Sequence, residues 1–162
     1  MTSNQKTIQN LNKALQMEMS AAHQYQLHAH VLEDWGLGKL ARQMRQEMQE
    51  ELGHSDRFIE RLMFLKGDPE IAFEKPPARA TSLVDMFKAD LADEEGAIAF
   101  YTEAARMAGD AGDIGSRSLF EGIVLDEEGH KAWLELQLDL IERIGEQNYA
   151  SKQLSTEEGE GE

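Results

Sequence analysis

Two short motifs, Glu51-x-x-His54 and Glu127-x-x-His130, constrain this chain more than any other feature. On a helix a carboxylate and an imidazole three residues apart lie on one face, where both can reach one metal ion. A single Glu-x-x-His would mean little in so acidic a sequence. Here each motif also follows another glutamate, Glu18 or Glu94, by 33 residues, so the chain contains a metal half-site and its internal repeat.

The apolar spacing places all six residues on helices. Ile8, Leu11, Leu15, Ala22, Tyr25, Ala29 and Leu32 recur at intervals that mark one buried stripe from Thr7 to about Asp34, and Glu18 fills the inward slot between Leu15 and Ala22. Gly36 then permits a tight helical turn. A second helix, from about Lys39 to Lys66, carries Leu40, Met44, Glu47, Glu51, His54 or Ser55, Phe58, Leu62 and Leu65 inward. The stretch Gly67 to about Thr81 holds all three prolines and has no helical period, so it reads as an extended connection long enough to run the length of a helix. Ser82, with Asp85 in the capping-box position, opens a third helix through Leu83, Phe87, Asp90 or Leu91, Glu94, Tyr101 and Ala108. After the turn cluster 109–113, Leu119, Ile123, Glu127, His130, Leu134, Leu138 and Ile141 define a fourth helix, which Gly145 ends. A short fifth helix is expected over Asn148 to Leu154, followed by an acidic, disordered tail from Ser155. The predicted fold is therefore all-α: a four-helix bundle over residues 1–154 with a long crossover between its second and third helices.

Height along each hairpin decides whether the six residues meet. Glu18 and Glu51 lie about equally far from the first turn, and Glu94 and Glu127 from the second, so at 1.5 Å per residue all six converge at mid-bundle. A glutamate from each of two helices plus Glu-x-x-His from the other two is a known dinuclear carboxylate arrangement. Four buried carboxylates without compensation would be very costly, and two divalent cations bring equal and opposite charge. The chain has no cysteine, so ligation is by oxygen and nitrogen, which suits Fe, Mn or Zn. Tyr25 and Tyr101 each follow a half-site glutamate by seven residues and could donate to a bound carboxylate. Asp90 and Asp126 are placed to accept the second ring N–H of a ligating histidine. His23, His28 and His30 fall off the ligand geometry and read as surface or packing residues, and Trp133 as core or interface.

The formal net charge of −15 argues against nucleic acid and anionic membranes as partners. Met1 to Lys13 contains no long apolar run, so neither a signal peptide nor a membrane span is expected, and a cytoplasmic protein is.

In Tyr25 to His30, Trp35-Gly36-Leu37, Asp56 to Arg61, Asp126 to His130 and Gln147-Asn148-Tyr149 the chain resembles the bacterioferritins over nearly its whole length. The resemblance implies that Glu18, Glu51, His54, Glu94, Glu127 and His130 are the ligands of a di-iron ferroxidase centre, and so the catalytic residues. It further implies about two dozen subunits in a hollow shell that oxidises Fe(II) with O2 or H2O2 and stores ferric mineral. Many members hold haem b at a two-fold interface through one methionine from each partner, and Leu52 stands at that position here. Haem would then require a hetero-oligomer with a methionine-bearing, haem-binding paralogue. Where some members place His and Asp on the inner wall for a further iron, this chain has Gln46 and Glu50. Rival readings of the same residues are a rubrerythrin-like peroxidase or oxygenase without storage, and a non-catalytic, metal-stabilised helical assembly.

Overall fold

A computed structural model describes residues 2–155. Four long helices, α1 (Ser3–Asp34), α2 (Gly38–Phe64), α3 (Leu83–Asp110) and α4 (Ile114–Ile144), form a bundle, and a short α5 (Glu146–Ser151) follows. Helix α1 begins four residues earlier than its apolar stripe suggests, because Thr2 and Gln5 close a capping box that satisfies the first free N–H groups. At α3 only half of that device is present: the Ser82 side chain accepts from the Asp85 N–H. Helix α5 starts immediately after α4, earlier than the expected Asn148, because Gly145 at φ 82° redirects the chain within one residue. The expected acidic tail lies outside the described residues beyond Ser155. Among the described residues no helix is long and apolar enough to cross a membrane.

Helices α1 and α2 form one hairpin and α3 and α4 the other, and the two turns are built alike. Gly36 and Gly112 adopt φ of 79° and 77°, and the next residue donates back into the finished helix, Leu37 to the Leu32 carbonyl at 2.8 Å and Asp113 to the Ala108 carbonyl at 2.9 Å. These bonds satisfy carbonyls that a helix C-terminus leaves free. Asp113 then caps α4 through the Ser116 N–H at 2.9 Å and receives Arg61 of α2 at 2.6 Å, which ties the two hairpins together.

The crossover from the end of α2 to α3 is extended, as expected, and lies along α1. It is pinned there by a polar stripe at intervals of four residues: Asn12, Gln16, Ser20 and Gln24. Asn12 bonds the Asp68 carbonyl and the Glu70 N–H, and Gln16 the Glu70 carbonyl. Ser20 accepts from the N–H groups of Glu74 and Lys75, and Gln24 pairs with both backbone groups of Ala78.

Buried apolar residues form two clusters at opposite ends of the bundle. One gathers Ala29, Leu32, Leu40, Met44, Phe87 and Leu134, closed by Tyr149 of α5, whose hydroxyl donates to Gln137 at 2.7 Å. The other gathers Leu11, Leu15, Phe58, Leu62, Tyr101, Phe120 and Ile123. On α4 the buried positions are Phe120 and Gln137 rather than the expected Leu119 and Leu138, one residue around the helix in each case. Between the two clusters the core is polar.

Candidate metal centre

Glu18 of α1, Glu51 and His54 of α2, Glu94 of α3, and Glu127 and His130 of α4 meet in this polar layer. None is more than 7% exposed. His54 Nδ1 lies 3.1 Å from Glu127, 3.6 Å from Glu18 and 3.7 Å from Glu51. His130 Nδ1 lies 3.3 Å from Glu51, 3.7 Å from Glu94 and 3.8 Å from Glu127. The donors thus fall into two sets of four, Glu18, Glu51, His54 and Glu127, and Glu51, Glu94, Glu127 and His130, within each of which the ligand atoms lie inside 4.8 Å of one another. Glu51 and Glu127 belong to both.

The outer ring nitrogen of each histidine and one oxygen each of Glu18 and Glu94 have partners, and the atoms facing one another do not. His54 Nε2 bonds Asp126 at 2.9 Å, and His130 Nε2 bonds Glu50 at 2.5 Å and faces Glu47 Oε2 at 2.7 Å. Tyr25 donates to Glu94 at 2.5 Å and Tyr101 to Glu18 at 2.6 Å. What remains without a hydrogen-bond partner is Nδ1 of both histidines and one oxygen each of Glu18, Glu51, Glu94 and Glu127, with Glu47 Oε2 beside them. Buried lone pairs left bare cost about 1–3 kcal/mol each, more when charged. Six bare donors pointing at one another fit a pair of divalent cations.

Without cations, protons take up the charge. Burial, reinforced by the neighbouring Glu18 and Glu127, holds Glu51 well above the carboxylate range, and burial with the Glu127 contact lifts Glu94 to about 8. For the histidines burial acts in the opposite direction and is outweighed. Glu127 and Glu18 raise His54 to about 10, and Glu47, Glu51 and Glu94 raise His130 further.

The other sequence-singled residues fall as follows. Asp126 meets a half-site histidine, but Asp90 does not: it bonds His28 Nδ1 at 3.1 Å. His28 is therefore a buried partner at the edge of the site and not a surface residue, while His30 is largely exposed and His23 packs on Phe73. Asp90 lies one turn before Glu94, too far along α3 to reach either half-site imidazole. Burial raises Asp90 to about 6 against the lowering effect of His28. Trp133 is half-buried, its ring edge-on to Phe87 at 5.7 Å. Leu52 lies on the outer face, 37% exposed, and Gln46 and Glu50 are exposed as well. Glu47, read earlier only as an inward position, is buried against His130. A cavity of 310 Å³ between α1 and α3, walled by Met17, Ala21, Ala97 and Phe100 and edged by Lys75 and Asp93, reaches Glu18, Glu51, Glu94 and Glu127 from under the crossover.

A four-helix bundle with two Glu-x-x-His half-sites facing two further glutamates defines a ferritin-like carboxylate protein. The ferritin-like domain model matches residues 8–144. The bacterioferritin of Rhodobacter capsulatus is 41% identical over 145 residues, covering 90% of each chain, and that of Brucella melitensis is 40% identical over 144 residues, covering 89% of each. The bacterial ferritin of Synechocystis is 40% identical over 146 residues, 90% of this chain and 94% of the relative. A solved structure of the Rhodobacter capsulatus bacterioferritin, described as having a metal-free dinuclear site and a haem iron, superposes with a TM-score of 0.92 at 38% identity, over 98% of this chain and 99% of that one. The chain belongs to the bacterioferritin family.

Proposed function

We propose that the chain is an iron-storage ferroxidase: it binds two Fe(II) per subunit between the two donor sets, oxidises them with O2 or peroxide, and passes ferric iron to a mineral inside a hollow shell of about two dozen subunits. Family membership supports iron storage. The observation that carries the ferroxidase reading is the pair of four-donor sets sharing Glu51 and Glu127, with both histidine Nδ1 atoms and one oxygen of each of the four glutamates bare.

Iron is the substrate, and two Fe(II) supply the two electrons that reduce dioxygen to peroxide, or peroxide to two waters, with uptake of two protons. Glu51 and Glu127, shared by both donor sets, would serve both ions, while Glu18 with His54 and Glu94 with His130 would complete the ends. Asp126 and Glu50 hold the imidazoles with Nε2 protonated and Nδ1 turned inward. Tyr25 and Tyr101 fix the rotamers of Glu94 and Glu18. Protons held on the metal-free carboxylates and histidines leave as cations enter, so loading releases protons. The cavity under the crossover is lined by the carboxylate-bearing residues Glu18, Glu51, Glu94 and Glu127 and has the volume to hold dioxygen or peroxide. With Leu52 at the haem-ligand position, a particle of this chain alone lacks bis-methionine haem.

Sizing combined with aerobic Fe(II) titration tests the reading. A hollow particle that oxidises two Fe(II) per chain rapidly and then retains hundreds more supports it. A small oligomer that stops at two per chain would remove storage, and binding without oxidation would remove the ferroxidase.

A further inference from the structure

The centre is built from two copies of one pattern, and the copies are unequal. Glu18 and Glu94, Tyr25 and Tyr101, Glu50 and Asp126, Glu51 and Glu127, and His54 and His130 are each separated by 76 residues. The bonds follow the same rule: Tyr25 donates across to Glu94 as Tyr101 does to Glu18, and His130 meets Glu50 as His54 meets Asp126. Three positions break it. Glu47 corresponds to Ile123, His28 to Ala104, and Asp90 to Ala14. All three polar members stand around the Glu94–His130 end, and all three apolar members belong to the aromatic cluster beside Glu18 and His54, with Phe58 and Phe120.

The difference has a sign. His130 Nε2 faces two carboxylates, Glu50 at 2.5 Å and the buried Glu47 at 2.7 Å, whereas His54 Nε2 has Asp126 alone, about half exposed. Carboxylates on one ring nitrogen make the other a stronger donor to a cation. Asp90 adds buried negative charge near Glu94. The Gln24 amide is oriented by its paired bonds to Ala78, so its nitrogen donates to His28 Nε2 at 2.8 Å, which leaves the ring proton on Nδ1. That N–H donates to Asp90, which therefore accepts as a carboxylate.

We infer that the two cation positions differ in affinity, and that the Glu94–His130 position fills first because Glu47 and the His28–Asp90 pair surround it with buried negative charge that Ile123, Ala104 and Ala14 do not provide at Glu18–His54. Glu47, Asp90 and His28 are positioning residues in this scheme, since none has to touch the ion. The inference rests on the dinuclear reading and adds to it an order of loading.

The test uses the assembled, metal-free full chain given one equivalent of Zn²⁺ per subunit, which is redox-inert, with occupancy at each position read from zinc anomalous scattering in crystals. Most of the zinc is expected at Glu94–His130. In Glu47→Gln and in Asp90→Asn the ratio of the two occupancies should fall by about tenfold, the low end of what loss of an outer carboxylate costs a metal site. Equal occupancy in the wild-type chain, or filling of Glu18–His54 first, overturns the inference while leaving the dinuclear reading intact. Zinc at neither position overturns both. The wild-type measurement decides even if a variant fails to assemble.

Discussion

Tyr25 on α1 donates its hydroxyl to Glu94 on α3 at 2.5 Å, and both groups are buried. The bond holds one end carboxylate in a fixed rotamer: the oxygen that accepts from Tyr25 lies 3.7 Å from His130 Nδ1, and the second oxygen is bare. Tyr25→Phe keeps the ring and removes only the donor. The metal-free protein should lose about 1–3 kcal/mol, the usual cost of orphaning a buried polar group. Metal affinity should fall by about tenfold or more. Thermal melting and Zn²⁺ titration measure the two effects, and Tyr101→Phe should repeat them through Glu18. An unchanged zinc affinity in both variants would show that the phenols do not orient the carboxylates.

Removing a donor from the centre is a harsher change. Glu18→Ala, Glu94→Ala and His130→Ala should each reduce the initial rate of Fe(II) oxidation by more than the roughly 10–100-fold seen for outer groups. Assembly should persist, because the apolar clusters on either side of the site are untouched. Stopped-flow absorbance with sizing of the same sample is the measurement. Wild-type rates in any of the three would refute the assignment of that residue.

The metal-free protein should become less stable as pH rises. Glu94 is lifted from 4.5 to about 8 and His54 from 6.5 to about 10, so both hold their protons more tightly folded than unfolded. Groups raised in this way contribute stability that is complete below their unfolded values and disappears as pH passes through the folded ones. The melting temperature of chelated protein should therefore fall between about pH 4.5 and pH 10. Zinc-loaded protein should show a flatter profile, since cations then occupy the place of the protons. Parallel, flat profiles with and without zinc would contradict the charge account.

By its resemblance to the bacterioferritins the chain has Leu52 where many members have the haem-ligating methionine, and a leucine keeps apolar bulk but offers no lone pair. Chain purified alone should carry no haem with two sulfur axial ligands, whereas Leu52→Met should permit it at one haem per pair of subunits. Absorbance and magnetic circular dichroism read the ligation. Bis-methionine haem in the wild-type homo-oligomer would overturn the expectation.

Ser20→Ala removes one hydroxyl that serves three backbone groups of the crossover, accepting from Glu74 and Lys75 and donating to the Lys75 carbonyl. A loss of about 1–3 kcal/mol is expected, with faster hydrogen exchange confined to residues 74–75. Uniform exchange throughout the bundle would mean that the crossover is held by other contacts.

The four helices and the meeting of the six donors were legible because each donor occupies a gap in an apolar stripe, and equal distance from a turn is a one-dimensional quantity. The His28–Asp90 pair was not, because its members are 62 residues apart on different helices, each plausible as an ordinary polar residue on its own. Glu47 reads as one more inward position on α2 until α4 brings His130 against it. The stripe Asn12, Gln16, Ser20 and Gln24 was visible as a pattern, but apolar spacing alone does not register it. On α4 the buried face is displaced by one residue, Phe120 for Leu119 and Gln137 for Leu138, because adjacent apolar residues satisfy the same helical spacing about equally well.

A chain made of two such similar hairpins faces an ambiguity that a less regular sequence would not. Either hairpin can in principle be rolled over against the other and still oppose carboxylates to imidazoles across the middle. The polar stripe on α1 resolves it. It accepts the connecting strand in one direction and one register, and has no counterpart on α3, where the residues 76 positions on are Lys88, Ala92, Gly96 and Phe100. Fastening the strand to α1 delivers α3 to one flank of the first hairpin and in one orientation. Four polar side chains outside the six donors thus fasten the connection to α1, and disrupting them together should yield molecules whose halves are correctly folded but wrongly joined.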